Sequence, residues 1–426
     1  MNYKGFNGVM GMALLATTLQ PAMAHADFVS DSKFNVELRN YYFNRDFRTG
    51  TGQNNQSELA QGFLLNFQSG YTQGPVGFGI DLTGLVAVKL DSSPGRAGTG
   101  NLAPDNEPVK GGPSYAKRAQ DQSGRLGVTA KMRFEQSEVK AGFQIPKLPI
   151  LWTNTSRLLP QSFNGVTVVS KDFNNFNLIG GQITRVNQRD STDYDKLGVF
   201  AQSGAYKAGA RSDSFKYLGG DYTVAKGTVL TYQHAVLENI YKQDFAGAST
   251  KQKFGPGVAS LEARYSNSDE DGSGLAGLVD NHTFGYSLGY SLGGHTLSVG
   301  SSRVYGSSPF IYVNGTNSYL FTEAVIGNFS KTGERSWFAT YDVDFAPVGI
   351  PGLTSSLNYI SGDDATVVGS ADKGREWERD FGVRYVVQTG SLKGASVRWV
   401  NAYGASNFGR HINDNRLFLS YTYAIW

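Results

Sequence analysis

Val76-Gly77-Phe78-Gly79-Ile80-Asp81-Leu82-Thr83-Gly84-Leu85-Val86-Ala87-Val88-Lys89-Leu90 decides how the rest of the chain is read. Its apolar side chains, Val76, Phe78, Ile80, Leu82, Val86, Val88 and Leu90, recur with period two. That is the period of a strand whose two faces meet different surroundings. Small or polar residues such as Gly77, Asp81, Thr83 and Lys89 fill the other face. The same alternation returns along the chain. Phe34, Val36 and Leu38 alternate with Asn35, Glu37 and Arg39; Leu126, Val128, Met132 and Phe134 alternate with Thr129, Lys131 and Arg133. Phe284 to Leu292, Trp337 to Phe345 and Leu417 to Ile425 repeat it, and the chain closes on Trp426.

Connections between these stretches come in two kinds that alternate. Short ones fall at Thr72-Gln73-Gly74, Glu135-Gln136-Ser137, Asn174-Asn175, Gly293-Gly294 and Thr389-Gly390-Ser391-Leu392. Long polar ones fall near 45–59, 91–121, 146–165, 187–212, 268–281, 306–334, 362–376 and 404–414. Turns at one end and loops at the other describe an up-and-down barrel that spans a membrane. About 18 strand-like stretches are present, and a spanning strand needs ~9–11 residues. In hydrocarbon every backbone group must be paired, so a sheet can cross only if it closes and leaves no edge. A soluble sandwich also alternates, so periodicity needs support from the rest of the chain.

The 426 residues include 53 Gly and no Cys; 13% are aromatic and 18% charged. Absence of Cys excludes disulfides, thiolate zinc sites and cysteine nucleophiles. The five His, His25, His234, His282, His295 and His411, are scattered, and a net charge of +3 does not point to nucleic acid. Residues 1–26 read as an export signal: Lys4 is the basic start, Val9 to Leu19 the apolar stretch, and cleavage falls near Ala24 or Ala26. That apolar stretch is shorter than the ~20 residues of a helical span. The expected organisation is therefore a signal over 1–26 and one transmembrane β-barrel domain over 27–426. Its expected place is the bacterial outer membrane.

Three features could carry chemistry. Gly285-Tyr286-Ser287-Leu288-Gly289 and Gly289-Tyr290-Ser291-Leu292-Gly293 both fit the G-x-S-x-G pattern. A nucleophile elbow needs a strand-to-helix turn, whereas Ser287 and Ser291 lie along one alternating strand. Asn267-Ser268-Asp269-Glu270-Asp271-Gly272 begins like a calcium loop, but its twelfth position is Leu278 instead of a bidentate acid. The stronger signal is the bases. Residues opposite the apolar rows face the lumen, which places Arg39, Lys131, Arg133, Arg264, Arg384 and Arg398 there. An Arg facing lipid at midplane costs ~2–4 kcal/mol, whereas guanidinium in a wet lumen matches carboxylates bidentately. The competing reading is that these bases pair with inward Glu37, Asp81, Glu262, Asp342 and Asp344 and only keep the lumen wet.

The 146–165 connection is apolar and Pro-stiffened: Lys147-Leu148-Pro149-Ile150-Leu151-Trp152, then Ser156-Arg157-Leu158-Leu159-Pro160. An exposed tip needs no such residues, so this loop is expected to fold inward and narrow the lumen. Pro149, Ser156, Arg157 and Pro160 are its constriction residues.

The chain resembles the OprD family of substrate-specific outer-membrane porins over essentially its whole length after the signal, and looks most like benzoate-type members. The resemblance rests on Phe28-Val29-Ser30-Asp31-Ser32, Leu38-Arg39-Asn40, Asn44-Arg45-Asp46, Thr72-Gln73-Gly74-Pro75-Val76-Gly77 and Leu90-Asp91-Ser92-Ser93. It continues through Lys147-Leu148-Pro149, Ser156 to Gln161, Glu334-Arg335-Ser336-Trp337, Gly349 to Leu353 and Gly362-Asp363-Asp364. It implies a monomeric barrel of 18 strands, a constriction of inward loops, and a ladder of bases that includes Arg39, Arg157, Arg384 and Arg398. Arg189 and Arg303 are further rungs, although counting from Leu297 and Val299 puts Arg303 on the lipid row. Val386 and Val400 stand where some members carry a second arginine, which argues against a preference for basic amino acids.

The expected activity is passive passage of small carboxylate-bearing, aromatic organic acids, with no catalysis and no cofactor or metal. Expected partners are those solutes, the lipid bilayer with its lipopolysaccharide, and the barrel-assembly machinery through the C-terminal strand; nucleic acid is not expected. The competing functions are a general diffusion porin and an outer-membrane serine hydrolase using Ser287 or Ser291.

Overall fold

The computed structural model describes residues 27–426 apart from 106, 108, 111 and 113–115, so the expected export signal lies outside the described residues. Alternation over the described chain becomes 18 antiparallel strands in one closed sheet. The first six are β1 (Lys33–Phe47), β2 (Asn55–Gln68), β3 (Val76–Ser92), β4 (Gln122–Phe134), β5 (Ser137–Gln144) and β6 (Ser162–Ser170). Next come β7 (Phe176–Asn187), β8 (Phe215–Ala225), β9 (Thr228–Leu237), β10 (Tyr241–Phe254), β11 (Gly257–Glu270) and β12 (Asp280–Leu292). The last six are β13 (His295–Gly306), β14 (Arg335–Asp344), β15 (Leu353–Ala365), β16 (Gly374–Val386), β17 (Ser396–Ser406) and β18 (Ile412–Ala424).

Each strand pairs with its sequence neighbours, and β18 pairs back onto β1, Asn35 opposite Ala424 and Phe47 opposite Ile412. Closure removes every edge, as hydrocarbon demands. At the seam the Phe34 amide donates to the Trp426 carbonyl at 3.0 Å. Short turns follow the even strands; at Gly293 (φ 58) and Gly294 (φ 89) two successive positive φ values make the tight hairpin that only such residues allow. Loops follow the odd strands, with one exception. Between β9 and β10 only Glu238, Asn239 and Ile240 intervene.

The two faces differ as the sequence predicts. Outward Leu126 and Phe78 are 66% and 56% exposed, whereas inward Leu85 is 1% exposed. The buried apolar core is therefore inside the barrel, where loops fill it. Leu158 and Leu159 pack with Tyr41, Phe43, Leu64 and Leu85 of the β1–β3 wall. Leu148, Ile150 and Leu151, from the same connection, pack with Ile183, Phe215, Ala235 and Phe245 of the β7–β10 wall. Burying each such side chain contributes ~1.5–3 kcal/mol, so this loop is held inside from both ends. It runs over 145–161, shorter than its sequence reading because β6 already begins at Ser162.

Register shifts interrupt the ladders at Asn164/Gly165, Thr223/Ala225, Leu59/Ala60 and Gly362/Ala365, and one further break, in β5, redirects a core ring. Gly142 has φ +121, and a Cβ there would meet the Val128 carbonyl at 2.1 Å. Past this irregularity Phe143 turns inward and joins the cluster of Leu64, Leu85 and Leu158.

Candidate functional site

The inward face of β1 reads Glu37, Arg39, Tyr41, Phe43, Arg45, and that of β18 reads Asp414, Arg416, Phe418, so period two alone lines up alternating bases and rings. Phe43 lies at the centre. Its ring centroid is 4.8 Å from the guanidinium carbon of Arg157, 4.8 Å from that of Arg416 and 5.5 Å from that of Arg45. Three elements thus bring three like charges to one ring: β1, β18 and the inward loop. Tyr41 stacks on Phe418 at 3.6 Å, and Arg398 lies 5.9 Å over Phe418. Arg384 is the register partner of Arg398.

Anionic compensation here is sparse. Asp414 accepts two bonds from Arg45, at 2.7 and 2.8 Å, and one from Arg416 at 2.6 Å. Arg157 is different. Its Nε donates to the Thr99 carbonyl at 2.8 Å and its Nη1 to the carbonyl and hydroxyl of Ser156. Ser156 is in turn fixed by Asn154, which accepts from its amide and hydroxyl. Among the described residues neither Arg157 nor Arg189 makes an ion pair. Burial holds the guanidinium pKa of Arg157 well below its ordinary value, and Arg416 and Arg189 push the same way. Burial also lowers that of Arg189, against the opposing pull of Asp190. The two converge at Gly100, where a Cβ would stand 3.2 Å from Arg189 Nε and 3.7 Å from Arg157 Nε. A cluster in this state gains from any anion that enters it.

The other sequence-derived bases separate into groups. Arg39 joins the cluster's lower edge, donating to Glu37 at 2.7 Å and to the Leu158 carbonyl at 3.1 Å. Lys131 pairs with Asp81 at 2.6 Å near the short-turn end, and Arg133 lies 4.5 Å over Tyr71 beside it. Arg264 stands on the far wall between Tyr319 and Phe321, 3.9 Å from each ring, and pairs with Glu262. Arg39, Lys131 and Arg264 thus each pair with an inward acid, Glu37, Asp81 and Glu262. Arg303 is a correction. It stands on the outward row of β13, exposed, with its guanidinium 4.7 Å over Tyr305. No bulge turns it inward, and near the loop end of β13 it stands among outward rings, opposite Phe284 and beside Tyr305. Of the loop positions, Pro149 lines a small cavity with Arg264 and Tyr319, and the Pro160 carbonyl accepts from Arg125.

Sequence reading missed Arg45, which it left in the 45–59 connection although β1 runs to Phe47, and Arg125 and Arg416, which stand opposite apolar rows it had identified. It also missed a second inward loop, 307–334. Pro309-Phe310-Ile311-Tyr312-Val313 in that loop is as apolar as the stretch that marked 145–161, and Phe310, Ile311 and Val313 are buried. Its far end is clamped to β16, where Glu378 accepts the amides of Ile326 and Gly327 at 2.7 Å each.

Ser287 and Ser291 sit within β12, with no strand-to-helix turn, and Ser291 shares its hydroxyl with Thr296 at 2.9 Å. Asn267 to Glu270, the start of the calcium-like stretch, belong to β11. Among the described residues no three His, Cys, Asp or Glu are grouped to hold a metal.

A closed sheet, greasy outside, narrowed inside by two folded loops and lined by guanidiniums, is a transmembrane channel. Residues 26–425 match the family described as outer membrane porin, OprD family. The chain belongs to that family and is an outer-membrane porin. It is 34% identical to the porin-like protein GalP of Pseudomonas putida, over 96% of each chain. Among solved structures, OccK9 (OpdG) of Pseudomonas aeruginosa matches with a TM-score of 0.88 and 41% identity, covering 93% of this chain and 100% of that one. OpdK of Pseudomonas aeruginosa, solved with vanillate, matches with a TM-score of 0.86 and 36% identity, covering 94% and 100%.

Proposed function

We propose that this porin passes small organic acids, aromatic carboxylates foremost, down their gradient. The observation that carries the reading is the convergence of Arg157 and Arg189 on Gly100, two guanidiniums without ion-pair partners among the described residues. A carboxylate entering between them relieves mutual repulsion and satisfies donors that the protein leaves open. It then moves between Arg39, Arg45 and Arg416 above or below without losing all its partners. Binding shared over several sites stays weak enough for release. Vanillate is an aromatic acid, and its presence in the OpdK structure supports the aromatic preference. The translocation route therefore includes Arg39, Arg157, Arg189, Arg384 and Arg398 from the sequence reading, joined by Arg45 and Arg416. Lys131 and Arg133 serve the short-turn mouth. We also infer a monomer, assembled through its C-terminal strand with outward Leu417, Leu419 and Tyr423.

Planar-bilayer recording and vesicle uptake of radiolabelled aromatic acids test this. The Arg157→Ala, Arg189→Ala double variant is expected to lose most of its anion preference and acid uptake while keeping an open pore. Unchanged reversal potential and uptake in that variant, or equal permeation of neutral sugars and aromatic acids in wild type, would overturn the reading.

A further inference from the structure

Arg303 is not used by the lumen, and the outer wall around it is unusual. In register, Arg303 faces Arg335 across β13 and β14, and Arg335 faces Asp363 on β15. All three stand on outward rows, and Arg375 follows on the outward row of β16. One step toward the midplane the outward residues in register are Ser301, Trp337, Ser361, Trp377 and Ala405. The next step brings Tyr359, Arg379 and Tyr403. Four rings form a continuous belt, with centroid separations of 5.4 Å for Trp337–Tyr359, 6.0 Å for Tyr359–Trp377 and 5.4 Å for Trp377–Tyr403.

An aromatic belt marks the depth where acyl chains give way to headgroups. A row of arginines directly beyond it lies at headgroup depth on the loop side. Arg335 is neutralised by Asp363 and Asp364, at 3.0 and 2.6 Å. Arg303 and Arg375 make no ion pair among the described residues. With Arg335 answered by Asp363 and Asp364, Arg303 and Arg375 are the outward guanidiniums to which an external anion adds. Below them Arg379 donates to the Asn401 amide oxygen, and Asn401 donates to Asn413 at 3.0 Å and Asn415 at 3.1 Å. These amides stand on outward rows as well. Arg335, Arg375, Trp377 and His411, together with the carboxylates of Asp363, Asp364 and Glu376, line an open rim cavity of 740 Å³.

We propose that this belt binds the phosphorylated sugar headgroup of an anionic outer-leaflet lipid. Arg303 and Arg375 take phosphate oxygens, and Trp337 and Trp377 lie against the first acyl carbons. The occupant is a lipid because the belt faces the bilayer and its charged row sits directly over the rings. A phosphate free in water would find the guanidiniums but nothing to lie on the indoles.

Native mass spectrometry from detergent micelles doped with bisphosphorylated lipid A tests this. Wild type retains the lipid, and the Arg303→Gln, Arg375→Gln variant retains it roughly tenfold less, as loss of charge-assisted bonds to phosphate implies. The lumen variant Arg157→Ala retains it as wild type does. Heat-modifiable migration on gels confirms that each barrel is folded, and either single substitution serves if the pair does not fold. Equal retention by the outward variant, equal retention of dephosphorylated lipid A, or displacement of the lipid by inorganic phosphate would each overturn the proposal.

Discussion

Trp152 and Tyr319 stack with ring centroids 4.8 Å apart and planes 19° from parallel, joining the two loops that fold into the barrel. The contact is reinforced by the Asn317 amide, which donates to the Trp152 carbonyl at 2.9 Å. It also holds Tyr319 at φ 58, a left-handed conformation that costs a non-glycine residue ~1–2 kcal/mol. Loop 145–161 has only a two-residue ladder of its own, Lys147–Leu148 against Leu151–Trp152, and Trp152 is bridged to Asn317, so the stack is a seam between the loops. Trp152→Ala removes it without touching the wall. Single-channel conductance is expected to rise, with more current noise, while the barrel still migrates as a folded, heat-modifiable species. Unaltered conductance and noise would show that the loops hold their positions independently.

The clamp on the far end of loop 307–334 makes a separate prediction. Glu378 is 2% exposed and holds the amides of Ile326 and Gly327, while Asp380 beside it accepts from Val325 at 3.4 Å. A buried hydrogen bond contributes ~0.5–1.5 kcal/mol, and leaving its donor unpaired costs ~1–3 kcal/mol. In Glu378→Gln one carboxylate oxygen becomes an amide donor facing a backbone donor, so one bond is lost and one clash appears. Hydrogen exchange at 325–327 is expected to accelerate by at least an order of magnitude, with β16 itself unaffected. Equal protection in the variant would assign the loop's position to Phe321 and Phe329 instead.

Loop 307–334 ends in a group that makes its base sensitive to pH. Glu334 is fully buried against Gly362 and Phe329, and burial raises its carboxyl pKa well above the ordinary value; Lys331 opposes this and Glu376 reinforces it. A carboxyl with a raised folded-state pKa holds extra protons when folded, so its stability is complete below the ordinary carboxylate range. That stability is lost as pH rises toward the folded value. Exchange at 330–334, corrected for intrinsic rate, is therefore expected to be slower near about pH 5 than about pH 8. Glu334→Gln, fixed in the neutral form, should flatten that slope. Identical slopes in wild type and variant would place the proton elsewhere.

How much of this was legible in the sequence follows from range. Period two is local, so strand faces, the short turns and the inward placement of Arg39, Lys131, Arg133, Arg264, Arg384 and Arg398 could be counted off residue by residue. The same count, carried one residue further, reaches Arg125 and Arg416; Arg45 was missed because β1 runs on to Phe47, into residues read as a connection. It also put Arg303 outward, against the resemblance, and the structure agrees with the count. What the sequence does not hold is which loop closes on which wall. That Arg157 and Arg189, 32 residues apart in sequence, meet over Gly100 depends on three connections packing together. Phe143 was illegible for another reason: its inward turn depends on the positive φ of Gly142, and period two assumes no such break.

Phe43 is the position where this long-range assembly is most exposed to test. It is fully buried and touches no solute, yet Arg45, Arg157 and Arg416 all lie against its ring. A desolvated cation–π contact contributes up to ~2 kcal/mol, and Asp414 bonds only two of the three guanidiniums. In Phe43→Leu the apolar volume mostly survives and the π face does not, so the three charges lose their common platform and spread apart. The anion-to-cation permeability ratio and the affinity for aromatic acids are expected to fall several-fold, with the folded barrel intact. Phe43→Tyr keeps the ring and should restore both. A leucine variant that selects anions as well as wild type does would mean that Asp414 and the backbone carbonyls position these arginines alone.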